Sequence, residues 1–156
     1  MKNKLPEILL KVLMGFAELF FVGILGYLRV LNIGWLLIIF GLGLVLWVLF
    51  HLGLMTAFIV SFRLRLVDIA LYLGLHFFYV GAWLFQSDGG DSGGISWTVQ
   101  KIFYISALDP FLERWGETLF WVTSIATFVC YLLIGILLIV RLLKFLKARR
   151  KSAQLA

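Results

Sequence analysis

The chain has 156 residues, of which 63% are hydrophobic and 14% charged, and its fourteen Lys and Arg against eight Asp and Glu give a net charge of +6. Soluble domains carry about 25% charged residues, and a fold this small has too much surface to cover with so few. The composition therefore excludes the soluble enzyme classes and points to an integral membrane protein. The mean hydropathy of +1.05 comes from continuous runs of spanning length, not from a scattered excess.

A membrane-crossing helix needs about 20 apolar residues. Four segments qualify, at about 8–28, 33–61, 66–86 and 117–140. They leave an outer loop over 87–116 and a basic tail over 141–156, all within a single domain over 1–156. The runs are Leu-rich and lack the short alternating pattern of a membrane β-barrel, so the backbone must be satisfied inside helices. The expected fold class is an all-α integral membrane protein with four transmembrane helices and an outer interfacial amphipathic segment.

The first span carries the clearest polar pattern. At 100° per residue, Glu7, Lys11, Glu18 and Arg29 fall within about 40° of one another, with Gly15 beside them. An intramembrane carboxylate such as Glu18 faces protein or water and has a partner, or takes up a proton. The stripe therefore reads either as a packing face for other helices or another subunit, or as part of an ion or proton path. A Lys-rich start before an apolar run also resembles a signal peptide. Glu18 interrupts the run and no A-x-A site follows, so the first span is expected to stay in the mature protein.

The second and third spans each hold one histidine. His51 lies 12 residues before Arg63 and His76 lies 11 after Arg65, which puts both some 16–18 Å from the turn between the helices. With so short a connection the two helices are expected to be antiparallel neighbours, and the imidazoles can face each other near mid-depth. Such a pair is able to handle protons, bond across helices, or hold a b-type haem through both axial positions; a pigment magnesium or a transition metal needs similar placement. Tyr72, Tyr79 and Trp83 continue the His76 face, and Trp47, Met55 and Phe58 flank His51.

The outer loop opens on a Gly-rich stretch in which Asp88 and Asp91 lack the full ligand set of a calcium loop. From Ile95 to Leu108 the chain turns apolar and aromatic again, which reads as a helix lying on the membrane surface. Asp109-Pro110 supplies a helix start, so the fourth helix should begin there and run into the basic tail near Lys147. Along it, Thr123, Thr127 and Tyr131 recur at i+4, a spacing at which hydroxyls bond back to the preceding turn or line a polar path. Asp68, three residues after Arg65, reads as one half of a local ion pair. The single Cys130 has no disulfide partner within the chain.

Eleven of the fourteen basic residues fall on the side of the two termini and of Arg63 and Arg65. By the positive-inside rule both termini are then cytoplasmic, and the net charge reports topology, not nucleic-acid binding. The plainest functional reading is a non-enzymatic subunit or oligomeric component of a membrane complex, with the lipid bilayer and either further copies or other membrane subunits as partners. The alternatives are an ion or proton channel or transporter using Glu18, His51 and His76, and a haem b or pigment anchor through the two histidines. No nucleophile with a base, paired acids or zinc spacing is visible that would make it an enzyme.

Overall fold

A computed structural model describes residues 5–31, 35–61, 63–89, 95–103 and 105–154. They form helix α1 (Leu5–Leu31), α2 (Trp35–Ser61), α3 (Leu66–Leu84), a two-stranded ribbon β1 (Ser87–Gly89) and β2 (Ile95–Trp97), a short helix α4 (Thr98–Phe103), a 3-10 turn (Ser106–Leu108), and α5 (Asp109–Gln154). α1, α2, α3 and α5 are each long and apolar enough to cross a membrane. The architecture is that of a multi-pass membrane protein.

The outward faces of the helices carry the apolar side chains that lipid would solvate, among them Phe16, Phe20, Leu42, Leu66 and Phe77. What the bundle buries is narrower: Met14, Met55, Phe58, Leu75, Tyr131 and Ile134 form the centre of one core shared by all four long helices. α3 and α5 make the closest pair, and α1 leans on α2. Where α3 meets α5, a Cβ at Gly81 would stand 2.8 Å from Thr123 Cγ2, so the missing side chain is what allows the approach. Thr123 and Thr127 bond back to the carbonyls of Leu119 (2.6 Å) and Thr123 (2.7 Å). Their hydroxyls are satisfied within the helix, and they act as packing residues.

One buried ion pair fastens α3 to α5. Asp68 is fully buried in the first turn of α3, where its Oδ2 accepts the Arg65 backbone N–H at 2.7 Å and its Oδ1 accepts Arg141 Nη2 of α5 at 2.6 Å. The local pairing with Arg65 is thus a backbone cap, and the charge partner comes from 73 residues away.

The segment after α3 departs from the sequence reading. Instead of a continuous surface helix over 95–108, the chain makes an antiparallel ribbon with Ser87 opposite Trp97 and Gly89 opposite Ile95, followed by only six residues of helix. The Thr98 N–H and hydroxyl both close on the Gln86 carbonyl, at 3.0 and 3.1 Å. Asp109 is already helical, and its Oδ1 accepts the Gln100 amide at 2.6 Å. Asp91 and the side chain of Asp88 lie outside the described residues.

The ribbon lays Trp97 against α5. A Cβ at Gly116 would come within 2.6–2.8 Å of three atoms of the indole ring. Gly116→Ala gains about 1 kcal/mol of helix propensity, but overpacking a rigid ring costs about 1–3 kcal/mol. We expect a net loss of stability with Trp97 expelled toward solvent, seen as a lower unfolding midpoint together with red-shifted tryptophan emission.

Candidate functional site

Three helices bring Glu18, His51 and His76 to one place. Glu18 on α1 and His51 on α2 are almost fully buried, and His76 on α3 is nearly so. Glu18 Oε2 lies 2.8 Å from His76 Nε2, and Oε1 abuts His51 Nε2. The two imidazole centroids are 5.8 Å apart. Ligand atoms of all three side chains lie within 4.8 Å of one another. The equal depth of the two histidines in the sequence thus becomes a contact, and the carboxylate of α1 completes it.

The remaining ring nitrogens are held by fixed partners. His76 Nδ1 lies 2.7 Å from the Tyr72 carbonyl oxygen one helical turn earlier, and His51 Nδ1 bonds the Tyr131 hydroxyl of α5. Tyr72 in turn donates its hydroxyl to the Met14 carbonyl of α1 at 3.2 Å. A carbonyl oxygen only accepts, so the proton of a neutral His76 ring sits on Nδ1 and Nε2 presents its lone pair to Glu18. Two acceptors at 2.8 Å repel unless something positive lies between them. That something is either a shared proton or a bound cation.

The second leg of the site admits both readings. Glu18 Oε1 and His51 Nε2 are buried and face each other in contact. With the Tyr131 hydroxyl donating to Nδ1, a neutral His51 ring carries its proton on Nε2, toward the carboxylate. A metal ion takes a lone pair from all three groups at once. Zinc binds imidazole nitrogen and carboxylate oxygen at about 2.0–2.2 Å, so donors on a common tetrahedral ion stand about 3.3 Å apart, and the 2.8 Å His76–Glu18 contact would open to admit one. The Nδ1 partners are those of metal-bound histidines, whose second nitrogen is held by a carbonyl or another polar group that sets ring orientation.

The donor set also selects among ions. Two neutral imidazoles and one carboxylate suit zinc, iron(II), cobalt(II) or manganese(II) better than magnesium or calcium, which favour all-oxygen shells. Three protein ligands leave at least one position for an exogenous ligand. A b-type haem fits less well: the Glu18 carboxylate occupies the space between the two Nε2 atoms where the iron and porphyrin plane would lie. Phe21, Tyr72 and Tyr79 pack against the two rings at centroid distances of 4.2–5.6 Å.

The other charged positions of the α1 stripe stay apart from this centre. Glu7 pairs with Lys11 at 3.5 Å and with Arg63 at 3.7 Å, at the end of the bundle nearer the termini. The side chain of Arg29 lies outside the described ones. Tyr131 was legible only as one of a series of hydroxyls at i+4; its reach across to His51 had no signal in the sequence. No protein-family profile, curated protein or solved structure matches this chain.

Proposed function

We propose that this chain is a multi-pass membrane protein that holds one divalent transition-metal ion within its helical bundle, through Glu18, His51 and His76. The observation that carries the reading is the convergence, from three helices, of a carboxylate and two imidazoles whose ligand atoms all lie within 4.8 Å of one another. Tyr131 and the Tyr72 carbonyl orient the two rings. In this reading both termini lie on the cytoplasmic side, following the basic residues. The ion ties α1, which buries little of its surface, to α2 and α3.

The test is metal analysis of the full chain, purified in detergent through a tag without histidine, stripped with chelator and reloaded separately with zinc and cobalt(II). We expect about one ion per chain, visible d–d bands for cobalt, and loss of both in Glu18→Gln and in His51→Ala. A wild-type protein that binds no more zinc or cobalt than these variants would overturn the reading and leave the 2.8 Å His76–Glu18 contact as a proton shared between acid and base.

A further inference from the structure

The end of the bundle nearer the termini carries unbalanced charge. From Arg141 to Ala156 the chain holds six basic residues and no acid, and α5 stays helical through Gln154. The acids described at this end are already engaged: Glu7 by Lys11 and Arg63, and Asp68 by Arg141. Among the described residues no ion pair takes up Arg65, Lys144, Lys147, Arg149 or Arg150, and all five are exposed.

These charges are arranged, not scattered. At 100° per residue, Arg141, Lys144 and Lys147 fall within about 120° of one another around α5, and Arg141 reaches Asp68 in the first turn of α3. The stripe therefore starts on the side of α5 that meets α3, beside Arg65, which precedes Asp68 by three positions as the cap residue of α3. The other side of the same turns is apolar. Leu142, Phe145 and Leu146 lie there, 43–59% exposed.

That mixture decides the partner. An acidic protein or a nucleic acid docking in water would meet the charges and leave the apolar side chains wet. A bilayer takes both. Its acyl boundary covers Leu142, Phe145 and Leu146, which reach about 8 Å along the helix past Arg141, while Lys144 and Lys147 lay their stems on apolar surface and extend their ammonium groups to the phosphates. Arg149 and Arg150 follow the last of these apolar side chains, at the height of the head groups. Because α5 runs unbroken out of its membrane span, a helix and not a loose linker holds the basic groups at that height.

We propose that this end of α5, with Arg65 beside it, binds the head groups of anionic phospholipids, Lys144 and Lys147 taking phosphate oxygens. In the orientation proposed above, it meets the cytoplasmic leaflet, whose surface potential is negative. The site does not depend on the ion.

The experiment reconstitutes the full chain in dioleoylphosphatidylcholine vesicles with a trace of spin-labelled phosphatidylglycerol or of spin-labelled phosphatidylcholine. The electron paramagnetic resonance spectrum gives the fraction of each lipid immobilised on the protein. We expect phosphatidylglycerol to be favoured by about fivefold, the effect of one well-placed basic residue at an anionic surface, and the preference to shrink at high salt. Lys144→Gln with Lys147→Gln, both exposed and outside the core, should bring the two lipids close to parity. Lys101→Gln with Arg114→Gln removes the same charge at the ribbon end and should leave the preference standing. Equal immobilisation of the two lipids by wild type overturns the proposal, as does an equal loss in the Lys101 and Arg114 variant, which would make the effect one of net charge. Wild type that shows no lipid preference yet binds fluorescein-labelled polyglutamate in detergent overturns it as well, and makes the stripe a protein-docking surface. Chelator-stripped and zinc-loaded protein should show the same preference, so the outcome is separate from that of the zinc and cobalt measurements.

Discussion

Asp68→Ala is expected to destabilise the protein by about 3–5 kcal/mol, the cost of leaving a buried partner charge uncompensated. Asp68 is fully buried, and its two oxygens hold different things: one caps α3 through the Arg65 N–H, the other takes Arg141 of α5. Removing it opens the helix start and at the same time takes from the Arg141 guanidinium the carboxylate to which it donates at 2.6 Å. Arg141→Met should cost about as much by stranding the carboxylate instead. The double variant Asp68→Leu, Arg141→Leu should recover a substantial part of the loss, because two apolar side chains leave no charge behind. The protein carries its own reporter: Cys130 is the only thiol and is buried in the core, so the temperature at which a thiol-reactive dye labels it marks unfolding. If the double variant is no more stable than the single ones, the pair is not acting through stranded charge and the cap on α3 carries the effect.

If Glu18, His51 and His76 hold an ion as proposed, Tyr131→Phe is expected to weaken its binding by about 10–100-fold, the usual effect of losing a group that orients a metal-bound histidine. Phenylalanine keeps the ring that packs edge-on against Trp47 at 5.1 Å and removes only the hydroxyl on His51 Nδ1. The ring of His51 then loses the hydrogen bond that fixes its orientation. Tyr131 is a positioning residue, so the measurement must separate orientation from general damage. Zinc competition should show the loss and the cobalt bands should shift, while the labelling temperature of Cys130 in metal-free protein falls by little, since one hydrogen bond contributes about 1 kcal/mol. Equal zinc affinity in wild type and variant would remove Tyr131 from the site.

How much of this was legible in the sequence depended on the range of the interaction. The spans followed from local composition, and the shared depth of His51 and His76 followed from counting residues on either side of the short connection after α2, although α3 packs most closely on α5 and not on α2. The stripe on the first span identified the face that Glu18 presents, yet not what it meets: α1 and α3 are not consecutive, and no periodicity sets their rotation. The same limit hid Arg141 from Asp68 and Tyr131 from His51, 73 and 80 residues apart. The ribbon was missed for a different reason. Three-residue strands are too short for alternation to register, and the aromatic run after Trp97 carries the composition of a surface helix.

The length of α5 has a mechanical consequence. Its 46 residues make a rod of about 69 Å, more than twice the roughly 30 Å of hydrocarbon that a bilayer offers. From Arg141 onward, about 20 Å of helix carries the basic residues of the tail away from the core without a break. The rod is a lever with its fulcrum at the Asp68–Arg141 pair. A load applied beyond that pair, by anionic lipid or by another molecule, would reach Tyr131, two to three turns further in, as a tilt of the helix, and through it the His51 ring.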